Sequence, residues 1–235
     1  MPLRRIEPEW LDELPANAPE AIRSRRDLRW LNVMMGHAGL MVGLLRRHRN
    51  MEAIQTLVEL GAGDGTFLLK LAKRMQTIDK PIKVVLVDRQ PCISQDTRKE
   101  FQGLGWELEV VTADILEALR QFGRQSGVAM LANLFLHHFE AKTLTTLLRE
   151  VASRADFFAA CEPRRSIMAL NASKLVGLIG CNAVTRHDAV ASVRAGFAGR
   201  ELSDLWPAKP GWLIEEGTGG LFSHVFVARR SSIPE

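Results

Sequence analysis

Five apolar runs alternate with helical segments between residues 56 and 162, and this alternation limits the fold more than any other feature of the chain. The run at 82–88 is almost continuously apolar, as is typical of a strand buried on both faces of a parallel sheet. Strands that alternate with helices at this spacing predict βαβ units. The predicted strands are TLVEL (56–60), IKVVLVD (82–88), WELEVVTAD (106–114), one strand within GVAMLANLFL (127–136), and DFFAACE (156–162).

Two further strand-like runs follow, WLIEEG at 212–217 and LFSHVFVARR at 221–230. Only Thr218-Gly219-Gly220 lies between the most regular parts of these runs, and a short glycine-containing connection predicts an antiparallel hairpin. The chain is therefore expected to form an α/β sheet whose last strand runs antiparallel.

The composition fits a soluble globular protein. Hydrophobic residues make up 46% of the 235 residues and charged residues 25%, which excludes a disordered chain, a collagen and a coiled-coil rod. Three scattered cysteines are too few for a disulfide framework or a CxxC zinc site. No metal site is predicted, and the expected location is the cytoplasm.

The first fifty residues differ from the rest and are predicted to be a helical extension of a domain at 51–235. They hold nine Lys/Arg and six Asp/Glu, a net charge of +3, which leaves only +1 of the total of +4 for the rest. A nearly neutral body argues against a nucleic-acid partner. The apolar stretch Trp30–Leu45 is short for a transmembrane helix, so we expect a helical lid over an acceptor site. A homodimer contact and a peripheral membrane contact through residues 24–49 stay open.

The most informative motif is the glycine loop VELGAGDG, which follows the first predicted strand. Open α/β sheets bind ligands beyond the carboxyl ends of their strands, and glycines allow the ligand close to the backbone. The dinucleotide fingerprint GxGxxG would need glycine where Thr66 stands. Asp64 is a poor neighbour for a pyrophosphate and a good one for an ammonium or sulfonium group.

Three later strands also end in residues suited to a nucleoside. Asp88 follows the second strand, where an acid can accept both ribose hydroxyls. Asp114 and Ile115 follow the third strand, and Asn133 follows the fourth.

Together, ELGAGDG, VDR, ADI and ANLFLHHF resemble the motif series of class I S-adenosylmethionine (SAM)-dependent methyltransferases. The resemblance implies a Rossmann-like sheet of seven strands in the order 3-2-1-4-5-7-6, with SAM as cofactor. It implies that Asp88 holds the ribose, Asp114 and Ile115 the adenine, and Asn133 the cofactor beside the reacting methyl group. The implied contacts of the methionine part of SAM are Glu59, Gly61, Gly63 and Gly65. The segments SRRDLRWLN and RHDAVASVRAGFAGREL are also similar to bacterial methyltransferases of polyketide, phenolic-lipid and quinone-like metabolism.

The fourth strand also bears on the methyl acceptor. It continues as Asn133-Leu134-Phe135-Leu136 and lacks the N/D-P-P-aromatic sequence common in methyltransferases that act on base or amide nitrogen. The next residues are His137 and His138, and histidine suits a general base for a hydroxyl near neutral pH. We therefore predict O-methylation of a small apolar or phenolic metabolite, with His138 favoured over His137. RNA or protein methylation and a non-catalytic SAM-binding subunit stay as alternatives. Further candidates for acceptor contacts are Glu162, Arg165, Arg186, His187 and Arg194.

Overall fold

A single seven-stranded sheet organises the part of the chain that the computed structural model describes, namely residues 3–48, 53–75, 81–90, 92–207 and 210–231. The strands in chain order are β1 (Thr56–Leu60), β2 (Lys83–Asp88), β3 (Glu107–Thr112), β4 (Val128–Asn133), β5 (Phe157–Pro163), β6 (Trp212–Thr218) and β7 (Ser223–Arg230).

The order of strands across the sheet is β3-β2-β1-β4-β5-β7-β6, as the resemblance implied. Neighbours from β3 to β5 run parallel, while β7 runs antiparallel to both β5 and β6. The predicted hairpin and the direction of the last strand are thus confirmed. The carboxyl ends of β1, β2, β3 and β4 consequently meet at one edge, where the predicted ligand residues lie.

Helices cover both faces of the sheet. Helices α3, α4 and α5 pack on one face and helices α6, α7 and α10 on the other. The helices are α1 (Trp10–Glu13), α2 (Pro19–Met34), α3 (His37–His48), α4 (Thr66–Arg74), α5 (Gln95–Gly103), α6 (Ile115–Gln121), α7 (Ala141–Arg154), α8 (Ile167–Lys174), α9 (Ala183–Ala195) and α10 (Glu201–Leu205).

The first long helix, α2, starts at Pro19, whose missing N–H costs nothing in the first turn. Ser24 is buried inside the helix, where its hydroxyl accepts a hydrogen bond from Thr185 Oγ1 at 2.9 Å. The helix then breaks before α3 at Gly36, which has a φ of +68°.

Helix α3 is built into the core of the domain. Met41 and Leu45 are fully buried in the layer that α4 and β5 share. The apolar stretch therefore buries one face against the sheet, as an amphipathic helix does. The predicted boundary between residues 50 and 51 lies outside the described residues.

Within the described ranges, no single helix is long and apolar enough to cross a membrane. Helix α2 and residues His37–Arg47 of α3 satisfy that test only as a pair, with a bend of 52° between them.

Candidate functional site

The glycine loop lies at the carboxyl end of β1 and is shaped by close packing. A Cβ atom on Gly61 would lie 2.0 Å from Cδ2 of Phe135, so only glycine lets this ring rest on the loop. Gly63 has a φ of +55°, and a Cβ built there would meet no atom within 4 Å. The loop thus offers open space above Gly63, where a ligand can approach the backbone.

Asp88 ends β2 and holds the glycine loop in place. Its Oδ2 accepts a hydrogen bond from the Gly63 N–H at 2.8 Å, and its Oδ1 accepts one from the Gln90 N–H at 2.8 Å. Each carboxylate oxygen has a second acceptor position. Asp88 can therefore bind the hydroxyls of a ribose while it keeps the loop closed.

Two buried oxygen atoms at the same edge form no close hydrogen bond within the described residues: Oε2 of Glu59 and Oδ1 of Asn133. The Asn133 side chain does interact with the ring of His37, whose Nδ1 is likewise unpaired. Burial, and then the charges of Asp64 and Asp88, raise the pKa of Glu59 well above its ordinary value. Unpaired buried acceptors among three carboxyl groups are unfavourable alone and fit a positively charged ligand. An ammonium or sulfonium group would satisfy them.

The end of β3 leads into the N-terminal cap of α6. Asp114 caps α6 by accepting hydrogen bonds at Oδ1 from the Leu116 and Glu117 N–H groups, and Ile115 is buried behind it. The predicted adenine contacts of Asp114 and Ile115 stay predictions.

Helix α2 lies across this edge, and the sequence did not indicate which of its residues contact the strand ends. Its contacts with the strand ends are Arg25 to Gln90 at 3.0 Å, Arg29 to Asp64 at 3.3 Å, and Asn32 to Asn133 at 3.2 Å. The only hint in the sequence was that Asn32 and His37 interrupt an apolar run. His37 is buried, and its Nε2 lies 2.8 Å from Ser223 Oγ.

Glu162 holds the turn after β4 through hydrogen bonds. This fully buried carboxylate accepts hydrogen bonds from the N–H groups of Phe135 at 3.0 Å and Leu136 at 2.9 Å. Leu134 has a φ of +53°, which L residues rarely adopt, and its N–H donates to the Cys161 carbonyl. In the structure Glu162 fixes the turn, and its predicted contact with the acceptor stays a prediction.

His137 is buried between two carboxylates. Its Nδ1 lies 2.8 Å from Glu162 Oε2, and its Nε2 lies 3.2 Å from Glu9 Oε1. Although burial opposes it, these bonds and charges raise the pKa of His137 to about 9. At neutral pH the ring is therefore an imidazolium that donates from both nitrogens, which makes it unsuitable as a general base.

The pKa of His138 is shifted in the direction opposite to that of His137. Burial and the adjacent His137 charge lower its pKa, and the centroids of the two rings are 4.2 Å apart. Its Nδ1 lies 3.5 Å from Asp12 Oδ2. A neutral ring with a nearby carboxylate has the properties of a proton acceptor.

Glu9, His137 and His138 also form a group whose ligand atoms all lie within 4.8 Å of one another, a spacing that could hold a metal ion. No metal was predicted, because the two histidines are adjacent in the sequence. A metal on His137 would have to displace the Nε2 proton that this ring donates to Glu9.

Four predicted acceptor contacts have other partners. Residues of α9 hold the N-terminal segment: Arg194 pairs with Glu7 at 3.3 Å, and His187 stacks on Trp10 at 4.0 Å between ring centroids. Arg165 is buried and donates to the Gly196 carbonyl and to Glu201, and Arg186 is exposed and packs against Gly177. The contacts of these four residues with the acceptor stay predictions.

Comparison with known proteins identifies a domain in the middle of the chain. Residues 57–155 match the family model described as a methyltransferase domain. No curated protein matches the chain.

Solved structures share the fold. Mitomycin 7-O-methyltransferase superposes with a TM-score of 0.59 at 15% identity, covering 94% of this chain and 60% of that one. An O-methyltransferase family protein from Burkholderia thailandensis gives 0.55 at 18%, covering 93% and 64%. Magnesium protoporphyrin IX methyltransferase from Synechocystis PCC 6803, solved with bound SAM, gives 0.52 at 15%, covering 88% and 84%. This chain thus spans less than two thirds of the length of the first two structures.

Proposed function

We propose that this chain is a SAM-dependent O-methyltransferase acting on a small hydroxylated metabolite, and the match of residues 57–155 to a methyltransferase domain supports this. The expected acceptors are aromatic, polyketide or lipid-like compounds. Structural neighbours support this choice, since they include mitomycin 7-O-methyltransferase and an O-methyltransferase family protein.

The observation that carries the proposal is the contrast between the two adjacent histidines. The pKa of His137 is raised to about 9, whereas the pKa of His138 is lowered, so only His138 is neutral near pH 7. Both follow Asn133 within one turn at the ligand-binding edge. A hydroxyl acceptor needs such a base, because a phenol has a pKa near 10 and holds its proton at neutral pH.

In this mechanism the protein supplies positioning and proton transfer. SAM, when bound, would supply the methyl group from its sulfonium sulfur and leave as S-adenosylhomocysteine. Asn133 and Glu59 would accept hydrogen bonds from the cofactor, and Asp88 would hold its ribose. His138 takes the hydroxyl proton as the new carbon–oxygen bond forms, and Asp12, 3.5 Å away, stabilises the resulting imidazolium. The remaining acceleration comes from alignment of the two reactants.

Methylation of RNA or protein is the first alternative. The net charge of +1 over residues 51–235 supports a small acceptor, because a nucleic-acid substrate usually requires a clustered basic face. A non-catalytic SAM-binding subunit is the second alternative. The complete loop motif ELGAGDG and Asp88 argue against a degenerate site.

The direct test uses the full chain with SAM labelled in its methyl group. Phenols, aliphatic alcohols, arylamines, RNA and a protein extract are offered as acceptors, and the products are identified by mass spectrometry and NMR. We expect label on a phenolic or alcoholic oxygen. Transfer only to nitrogen, RNA or protein would overturn O-methylation, and SAM binding without any transfer would favour the non-catalytic alternative.

A further inference from the structure

A cavity of about 320 Å³ lies between the N-terminal helices α2 and α3 and the helix α4 that follows the glycine loop. Val33, Ala38 and Phe67 give it an apolar wall, and Thr66 at the start of α4 connects it to the loop. The cavity is large enough for a small organic group and adjoins the ligand-binding edge.

The charged residues that line this cavity all carry a positive charge. Of the ten lining residues, four are cationic (Arg29, Lys70, Lys73 and Arg74) and none is a carboxylate. Arg29 is paired with Asp64, and Lys73 is paired with Glu100. Within the described ranges, neither Lys70 nor Arg74 takes part in an ion pair.

Lys70 lies among these cations. Burial lowers its pKa most; the charge of Asp64 opposes this, and the charges of Arg29 and Arg74 add to the lowering. Excess positive charge beside an apolar wall is stabilised by an anion that also has an apolar part.

We propose that this cavity binds a carboxylate carried on an apolar or partly apolar body, with Lys70 and Arg29 as its cationic partners. Two sources share this chemistry. One is the carboxylate of SAM itself, whose amino-acid end is expected at the glycine loop beside Thr66. The other is the carboxylate of a second ligand such as the methyl acceptor, and that source rests on the proposed function.

The experiment measures binding to the full chain by calorimetry, in the wild type and in Lys70→Gln and Arg29→Gln. Lys142→Gln is the matched control, because it makes the same change at an exposed position of α7. The cofactor probes are S-adenosylhomocysteine and 5′-methylthioadenosine, which lacks the carboxylate. The second-ligand probes are 4-hydroxybenzoate and octanoate, each compared with its methyl ester on protein loaded with S-adenosylhomocysteine.

If the carboxylate belongs to the cofactor, Lys70→Gln weakens S-adenosylhomocysteine about tenfold or more and leaves 5′-methylthioadenosine unchanged, as expected for a lost charge-assisted hydrogen bond. If it belongs to a second ligand, S-adenosylhomocysteine is unaffected while the carboxylate probes lose affinity and the esters bind poorly throughout.

The proposal is overturned if both substitutions leave all carboxylate-bearing probes bound as tightly as the wild type and Lys142→Gln do. If S-adenosylhomocysteine binding is also independent of Lys70 and Arg29, esters that bind as well as the acids overturn the proposal too. Failure of the wild type to bind either nucleoside would instead refute the cofactor assignment, and Lys70-dependent binding of the free acids would still support the cavity as a carboxylate site.

Discussion

The ligand-binding edge has two halves: the ends of β1 and β4, called here the cofactor half, and the turn after β4, called the histidine half. They differ in whether their buried polar groups have hydrogen-bond partners. At the ends of β1 and β4, the Glu59 and Asn133 side chains keep oxygen atoms that form no close hydrogen bond within the described residues. At the turn after β4, Glu162 and His137 are bonded to each other, and Glu162 also accepts from backbone N–H groups.

This difference indicates which half needs a ligand to satisfy its buried polar groups. Unpaired buried acceptors cost free energy until a ligand satisfies them, whereas a complete network holds its shape alone. The histidine half completes its network with Glu9 and places Asp12 beside His138, both from the N-terminal segment. An acceptor bound at His138 would therefore share it with Asp12, whereas a cofactor bound at the ends of β1 and β4 would meet oxygen atoms that the protein leaves unpaired.

The largest effect is expected from blocking the cofactor half. Gly63→Val would place a branched side chain in the open space above the loop and should abolish S-adenosylhomocysteine binding in calorimetry. Gly105→Val is the matched control, because Gly105 also has a positive φ and open surroundings but lies in an exposed turn. Equal binding by both variants would place the cofactor elsewhere.

The next effect concerns the base in the histidine half. His138→Gly should lower turnover by about two to four orders of magnitude, because proton removal is lost, and leave S-adenosylhomocysteine affinity unchanged. Added imidazole should partly restore turnover. A variant that turns over at the wild-type rate would leave positioning as the only source of catalysis.

A stability change tests whether the histidine half is complete without a ligand. Glu162→Gln removes one carboxylate from the buried imidazolium of His137 and should lower the free energy of unfolding by about 3–5 kcal/mol. Denaturant unfolding measures this, with the exposed Glu140→Gln as control. A loss below about 1 kcal/mol would mean that His137 is not charged in the folded protein.

The smallest expected effect is the change of the unfolding free energy with each unit of pH. Because the folded pKa of His137, about 9, exceeds the ordinary value of 6.5, its stabilisation is complete below pH 6.5 and is lost as the pH rises through 9. One group contributes at most about 1.4 kcal/mol per pH unit. Unfolding free energies from pH 6 to 10 should therefore fall in the wild type and flatten in His137→Gln; identical profiles would contradict the assignment.

Sequence reasoning succeeded where the signal was local. Apolar runs and the glycines of residues 61–65 predicted the strands and the loop, because strand ends in a parallel sheet meet regardless of loop detail. The sequence did not indicate the partners that Glu162 and Arg194 have in the structure, because those partners are distant along the chain. Nothing near Glu9 indicates that it meets His137, 128 positions later, so the pKa contrast between the two histidines was beyond reach.

The position of β7 has a consequence for synthesis. This strand follows β6 in the chain but lies between β5 and β6, so β6 leaves the ribosome before the strand that it pairs with. Until residues 223–230 emerge, the fully buried strand β5 presents an open apolar edge to the cell. Such an edge invites pairing with other chains, so this interval is when a nascent molecule is most exposed to aggregation and most in need of a chaperone.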